Sequence, residues 1–216
     1  MIKALVFDFD GTIIDTETLW FQTFKEVLLE EYQIHLPLEE FAKVIGTTDE
    51  VLYSYIDSQA TTPIKHEELT KKVSEKVHLT KMELTPREGV KELILEAHGK
   101  GVKLGIASSS ERKWIEEFLD HIKLREYFSV IKSKDDVMKV KPNPELYVKA
   151  VQDLIVLPHE AIAIEDSING SVAAIEAGLS TIVVPNDVTS FLEFDKRVRV
   201  YKSFLDVNLD TILKNE

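Results

Sequence analysis

The amino-acid sequence predicts an α/β protein: a doubly wound parallel sheet interrupted after its first strand by an inserted all-helical domain. Three observations carry this. Short, nearly continuous apolar runs recur along the chain, as strands buried on both faces require. Segments with apolar residues at i, i+3, i+4 and i+7 separate them, each giving one helix face. One stretch, from about residue 16 to residue 85, breaks the alternation and holds helical patterns only.

The elements follow in order. Leu5-Val6-Phe7 is the first strand, closed by Asp8, Asp10 and Gly11. Four helical patterns come next, over residues 17–32, 38–44, 49–58 and 66–80. The alternation then resumes with a helix face of Val90, Leu93, Ile94 and Ala97. Residues 103–107 form the second strand, closed by Ser108-Ser109-Ser110. Ile115, Phe118, Leu119 and Ile122 make the next helix face, and residues 129–131 a weaker third strand. Tyr147, Ala150, Val151 and Leu154 share one helix face. The fourth strand, 161–164, is closed by Glu165-Asp166-Ser167. A helix from about Ile168 ends at Gly178, a residue suited to the left-handed position past a helix end. The fifth strand, 181–184, stops at Pro185. The partition expected is a core of residues 1–15 and 86–216 and a helical domain of residues 16–85.

Composition narrows the function. A chain of 216 residues fits one large domain or a domain with a modest insert, and 44% apolar residues fit a folded protein. With no Cys, disulfides and thiolate-bound zinc are excluded, and the six His show no ligand spacing. Asp and Glu outnumber Lys and Arg by 38 to 26, a net charge of -12, which disfavours nucleic-acid backbones. No apolar run reaches the roughly 18 residues of a membrane span, and the N-terminus does not read as a signal peptide. The expectation is a cytoplasmic monomer that binds neither nucleic acid nor membrane.

The first strand carries the strongest chemical signal. Strand side chains alternate, so Asp8 and Asp10 project together from its C-terminal end, with Phe9 turned into the core. Ligands of open α/β sheets bind at that end. Two adjacent carboxylates repel unless a cation or a shared proton compensates, and Mg²⁺ suits an all-oxygen site. A carboxylate so neutralised can attack phosphorus while its neighbour exchanges protons with the leaving oxygen. Gly11 permits a tight turn that brings an amide close to a substrate. A solvated Asp-x-Asp-Gly turn is the plainer reading. The other strand ends decide between them. The Ser108 hydroxyl and the Ser109 amide would bind a phosphoryl oxygen at a helix N-terminus. Lys141, with Pro142 fixing the backbone beside it, would balance the aspartates. Glu165 and Asp166 add carboxylates where a metal needs them.

This ordered set, DFDGT at 8–12, IASS at 106–109, KP at 141–142 and ED at 165–166, resembles the haloacid dehalogenase superfamily of phosphotransferases. Within it the chain looks most like the beta-phosphoglucomutase-like phosphatases, with a Rossmann-like core and a helical cap. The resemblance implies that Asp8 is the nucleophile and forms an aspartyl-phosphate. It makes Asp10 the acid that protonates the leaving group and then the base that activates water. It assigns Mg²⁺ to Asp8, to Asp10 through its backbone carbonyl, and to Asp166, with Glu165 a further ligand or a supporting group. Ser108, Ser109, Gly11 and Lys141 would hold the phosphoryl group of a small phosphorylated metabolite.

The cap departs from the mutase pattern. Mutases of this group resemble one another in a Lys and an Arg about a cap Gly; here Ile45 precedes Gly46 and Asp49 holds the Arg position. Their His on the first cap helix is Trp20 here. An acidic residue repels a second phosphate where Arg would bind it, so hydrolysis is expected rather than phosphomutation. A sugar phosphomutase and a non-catalytic phosphometabolite-binding protein are the alternatives. Substrate specificity would involve Thr16, Trp20, Gly46, Thr47, Asp49 and Lys76 of the cap.

Overall fold

A computed structural model describes residues 1–45 and 48–214. Six strands form one parallel sheet: β1 (Ala4–Phe7), β2 (Lys103–Ala107), β3 (Val130–Lys132), β4 (Ala161–Glu165), β5 (Ser180–Val183) and β6 (Arg199–Val200). Their order is β3-β2-β1-β4-β5-β6. The chain thus builds outward from β1 in one direction, then crosses back and builds in the other. The C-terminal end of β1 lies at this reversal, the place at which open α/β sheets bind ligands.

The two faces of the sheet differ in side-chain size, and the difference sets how closely helices approach. Leu5, Phe7, Leu104, Ile106, Ile162 and Ile164 point to one face, beneath α5 (Val90–Gly99) and α6 (Arg112–His121). Ala4, Ala107, Ala161 and Ala163 point to the other. There α7 (Glu145–Asp153) and α8 (Ile168–Glu176) pack close to the backbone. A Cβ built on Gly105 would stand only 3.0 Å from Leu154 Cδ1. The predicted helix faces are the buried ones: Val90, Leu93, Ile94 and Ala97 on α5, and Tyr147, Ala150 and Val151 on α7. A short α9 (Leu209–Lys214) closes the chain.

Between β1 and β2 lie α1 (Thr16–Tyr32), α2 (Leu38–Phe41), α3 (Glu50–Gln59) and α4 (His66–Thr80). Asp15 caps α1 through the Thr18 amide, 3.1 Å away. These helices bury an apolar cluster of their own, with Phe21, Phe24, Leu28, Phe41, Leu52, Ile56, Leu69 and Val73 at its centre. The sheet is Rossmann-like and the helical cap stands over the C-terminal end of β1.

Several boundaries differ from expectation. The helix expected over 38–44 tightens after Phe41 into a 3₁₀ turn, Ala42–Val44. The third strand lies one residue later than expected. The sixth strand, Arg199–Val200, was not expected at all; two edge residues carry no readable alternation, and Arg199 reads as a surface charge. Gly178 takes φ +85° just past α8, as its place in the sequence suggested. No helix among the described residues is long and apolar enough to cross a membrane.

Candidate active site

The parallel register brings the chemistry together. Phe7 pairs with Ile106 on one side and Ile164 on the other, so Asp8 emerges level with Glu165 and one step short of Ser108. Asp8 is nearly buried, and Lys141 Nζ donates to its Oδ1 at 2.5 Å. Lys141 also donates to Glu165 Oε1 at 2.6 Å. The Asp8 backbone amide donates to the Ile164 carbonyl at 2.8 Å, which fixes the strand end beside β4.

Glu165 is saturated with donors. Its Oε1 also accepts from Tyr147 Oη at 2.7 Å. Its Oε2 accepts from the Asp166 amide, the Ser167 amide and Ser167 Oγ at 3.1, 3.3 and 3.0 Å. Burial works against the charge on Lys141, yet the Asp8 and Glu165 carboxylates outweigh it and hold the ammonium above its ordinary range. At Asp8 burial prevails over the partner charge. Burial raises its carboxyl to about 7, against the pull of Lys141 and with the help of Glu165 and Asp10. One ammonium among three buried carboxylates is too little positive charge.

Asp166 completes the cluster. Thr12 Oγ1 donates to its Oδ1 at 3.1 Å and Asn186 Nδ2 to its Oδ2 at 2.7 Å. Burial, then the charges of Asp8 and Glu165, push its carboxyl well above the usual range. Oxygens of Asp8, Glu165 and Asp166 lie within 4.8 Å of one another. The donor set is all oxygen, buried and short of positive charge, and these residues therefore fit a hard divalent cation such as Mg²⁺.

Asp10 sits in different surroundings. Thr16 Oγ1, at the start of α1, donates to its Oδ1 at 2.7 Å. Trp114 Nε1 on α6 donates to the same oxygen at 2.8 Å, and Ser110 Oγ to Oδ2 at 2.6 Å. Every partner is neutral. Ser108 is buried at the end of β2 and its Oγ accepts from the Ser110 amide at 3.0 Å; Ser109 follows, half-buried.

Other candidates sit differently. Gly11 makes the tight turn after β1: its N–H donates to the Ile14 carbonyl at 2.7 Å. Gly11 has φ +81°, and a Cβ there would fall 2.3 Å from Asp166 Oδ2, so only Gly fits. Trp20 packs on Phe24 and Trp114, both with ring centroids 6.1 Å away. Asp49 is exposed just before α3; partial burial raises its carboxyl, against the pull of Lys134 of the core. Lys76 is not brought to the cluster. Its ammonium pairs with Glu26 and Glu30 on the outside of α1, at 2.8 and 3.6 Å. Gly46 and Thr47 lie outside the described residues.

A family model described as haloacid dehalogenase-like hydrolase matches residues 5–184. The chain belongs to the haloacid dehalogenase-like hydrolases. It is 42% identical over 214 residues to YhcW of Bacillus subtilis (strain 168), spanning 99% of this chain and 97% of YhcW. It is 34% identical over 184 residues to the pyrophosphatase PpaX of Bacillus cereus (strain ATCC 10987 / NRS 248), 85% of this chain and 83% of PpaX. Among solved structures, a variant of CbbY from Rhodobacter sphaeroides bound to xylulose-(1,5)bisphosphate superposes with a TM-score of 0.80. The identity is 31%, covering 96% of this chain and 97% of CbbY.

In this haloacid dehalogenase-like hydrolase the sequence reading missed several residues that the fold delivers to the site. Asn186, on the loop after β5, orients Asp166 and also reaches the Gly11 carbonyl at 3.3 Å. Arg87 donates to the carbonyls of Gly11, Val184 and Pro185, each at 2.7 Å, and so ties the β1 and β5 loops together. Glu17 lies in the first turn of α1; burial and then the charges of Asp166, Asp10 and Asp8 push its carboxyl well up. Glu17 lies one residue after Thr16 and was legible as a candidate from that adjacency. Asn186 and Arg87 carry no local signal, because their partners are distant in sequence.

Proposed function

We propose that this hydrolase is a Mg²⁺-dependent phosphomonoesterase acting on a small phosphorylated metabolite through an aspartyl-phosphate on Asp8. The observation that carries this reading is the division of labour between two aspartates on one strand end. Asp8 is tied to Lys141 beside the Glu165–Asp166 cluster, whereas Asp10 is held only by neutral donors. Two carboxylates in contrasting environments suit two roles.

The roles follow from the contacts. An oxygen of Asp8 attacks phosphorus and the bond to the leaving oxygen breaks. Asp10 gives that oxygen its proton. Asp10 then takes a proton from water, the water oxygen bonds to phosphorus, and the Asp8–phosphorus bond breaks to release phosphate. Lys141 holds Asp8 in place and offsets the charge of the transferring group. Glu165, with both oxygens committed, holds Lys141. Asp8 and Asp166 would hold Mg²⁺, with the backbone carbonyl of Asp10. When bound, Mg²⁺ offsets the negative charge gathered among the carboxylates and the phosphoryl group. Ser108 and Ser109 at the end of β2 bind phosphoryl oxygens.

Hydrolysis is favoured over phosphomutation by Asp49 and by Ile45, whose carbonyl accepts from Asn169 Nδ2 of α8 at 2.9 Å. Asp49 puts a carboxylate there and Ile45 is buried in the cap's own apolar cluster, so neither of these two residues supplies a cation for a second phosphate. The core is a domain of residues 1–15 and 86–216 and the cap one of residues 16–85 in this reading. The relatives leave the substrate open: PpaX is named for pyrophosphate, and CbbY was crystallised with a sugar bisphosphate.

The test is phosphate release from a panel of phosphomonoesters, with Mg²⁺ or with chelator. Release that requires Mg²⁺ is expected. Conversion of beta-glucose 1-phosphate to glucose 6-phosphate without release would establish the mutase instead. Binding without turnover would leave a phosphometabolite-binding protein.

The charge imbalance sets a second expectation. A carboxyl raised in the folded state binds its proton more tightly there, so its contribution to stability is complete below the ordinary carboxylate range. That contribution is lost as pH rises through the folded value. For Asp8 the window runs from its ordinary 3.8 up to about 7, and Asp166 shifts in the same direction. The metal-free protein therefore melts at a lower temperature at pH 8 than at pH 5.5. Mg²⁺ offsets more at pH 8, where the carboxylates are ionised. At one fixed concentration, about 100 times the dissociation constant found at pH 8, it raises the melting temperature at pH 8 by about 5–10 °C and by less at pH 5.5. An increment equal at the two pH values would refute the charge argument. Differential scanning calorimetry decides.

A further inference from the structure

We propose that Trp114 is a positioning residue for Asp10, its indole N–H fixing the direction from which that carboxylate meets the leaving group. The inference rests on the acid–base role given to Asp10 above. Trp114 Nε1 donates to Asp10 Oδ1 at 2.8 Å. The other partners, Thr16 Oγ1 and Ser110 Oγ, are hydroxyls that rotate and either donate or accept. An indole N–H donates only, and along one line set by the ring plane. Of the three contacts it is the one with a fixed direction.

The ring is itself held from several sides. Phe118, one turn along α6, meets it edge-on with centroids 4.8 Å apart. Trp20 of α1 lies at 6.1 Å. Lys81 Nζ sits 4.9 Å from the ring centroid, on the turn by which the chain leaves α4 for the core. Lys81 is 3% exposed and its ammonium pairs with Glu117 Oε2 at 2.8 Å. The indole is half-buried and packs against the apolar clusters of both core and cap. Contacts from the core helix, the cap helix and the return segment converge on one side chain, whose single donor points at Asp10.

The test compares two leaving groups in the presence of Mg²⁺. An alkoxide needs a proton to depart, whereas a nitrophenolate leaves without one. The ratio kcat/KM reports steps up to that departure, so it isolates the acid role of Asp10. With Trp114→Phe, kcat/KM for an alkyl phosphate is expected to fall about tenfold, the worth of one charge-assisted hydrogen bond. With p-nitrophenyl phosphate it should stay within about threefold on the same reasoning. Trp114→Leu, which also lacks the N–H, should show the same contrast. An equal fall on both substrates, no fall on either, or a fall confined to Trp114→Leu would assign the indole to packing and overturn the proposal. Asp10→Asn run alongside separates the two levels. If it shows the leaving-group contrast and Trp114→Phe does not, the positioning role alone fails. If Asp10→Asn shows no contrast, the acid role fails and the proposal with it.

Discussion

Asp8→Asn is expected to reduce phosphate release at saturating substrate by at least about 10⁴-fold, because the amide oxygen is too weak a nucleophile to attack phosphorus. The substitution is nearly isosteric. Its carbonyl oxygen can still accept from Lys141, as Asp8 Oδ1 does at 2.5 Å. It also removes a charge from a cluster with too many of them, so the metal-free variant should melt no lower than wild type. Loss of turnover with a retained or raised melting temperature separates chemistry from folding. Acid-quenched protein should carry covalent phosphate only when Asp8 is present. A variant that keeps wild-type turnover would sink the aspartyl-phosphate mechanism.

Lys141→Met has the largest expected effect on stability. The ammonium is fully buried and lies between Asp8 and Glu165. Removing it leaves two carboxylates in the protein interior without a counter-charge, a loss of about 3–5 kcal/mol. Methionine fills much the same volume, so a cavity contributes little. The deficit should shrink below pH 6, where Asp8, already raised to about 7, takes up a proton. Adding Glu165→Gln should recover part of it by removing one of the stranded charges. Urea denaturation at pH 8 and pH 5.5 measures each difference. A Lys141→Met variant within about 1 kcal/mol of wild type at pH 8 would show that the pair does not hold the loops together.

What the sequence revealed of this molecule was local or periodic. β1 and its Asp8-x-Asp10 end, the Ser108 turn and the Glu165-Asp166 end are each a short apolar run followed at once by polar residues. The parallel register then aligned those ends without further information. The cap helices were visible because their apolar spacing is regular. Trp114, Asn186 and Arg87 stayed hidden for the opposite reason. Trp114 reads as one more apolar residue on an amphipathic helix, and nothing near it in sequence tells that its N–H meets Asp10. Asn186 sits in a loop whose partner, Gly11, comes from the other end of the chain. Lys76 shows the same limit: its ion pairs with Glu26 and Glu30 join two helices 46 to 50 residues apart, which its own surroundings in sequence do not announce.

The two chain crossings between sheet and cap lie side by side. Ile14 forms a parallel bridge with Asp10 and an antiparallel bridge with Pro86, where the chain comes back. The whole excursion is therefore a loop with pinned ends. The entropy of closing such a loop grows only with the logarithm of its length, about 0.6 kcal/mol for each doubling. A lineage can lengthen, shorten or recast everything between Ile14 and Pro86 at small cost to the sheet beneath, provided the replacement buries its own apolar face. The helices above can drift quickly while the pair of aspartates stays where it is.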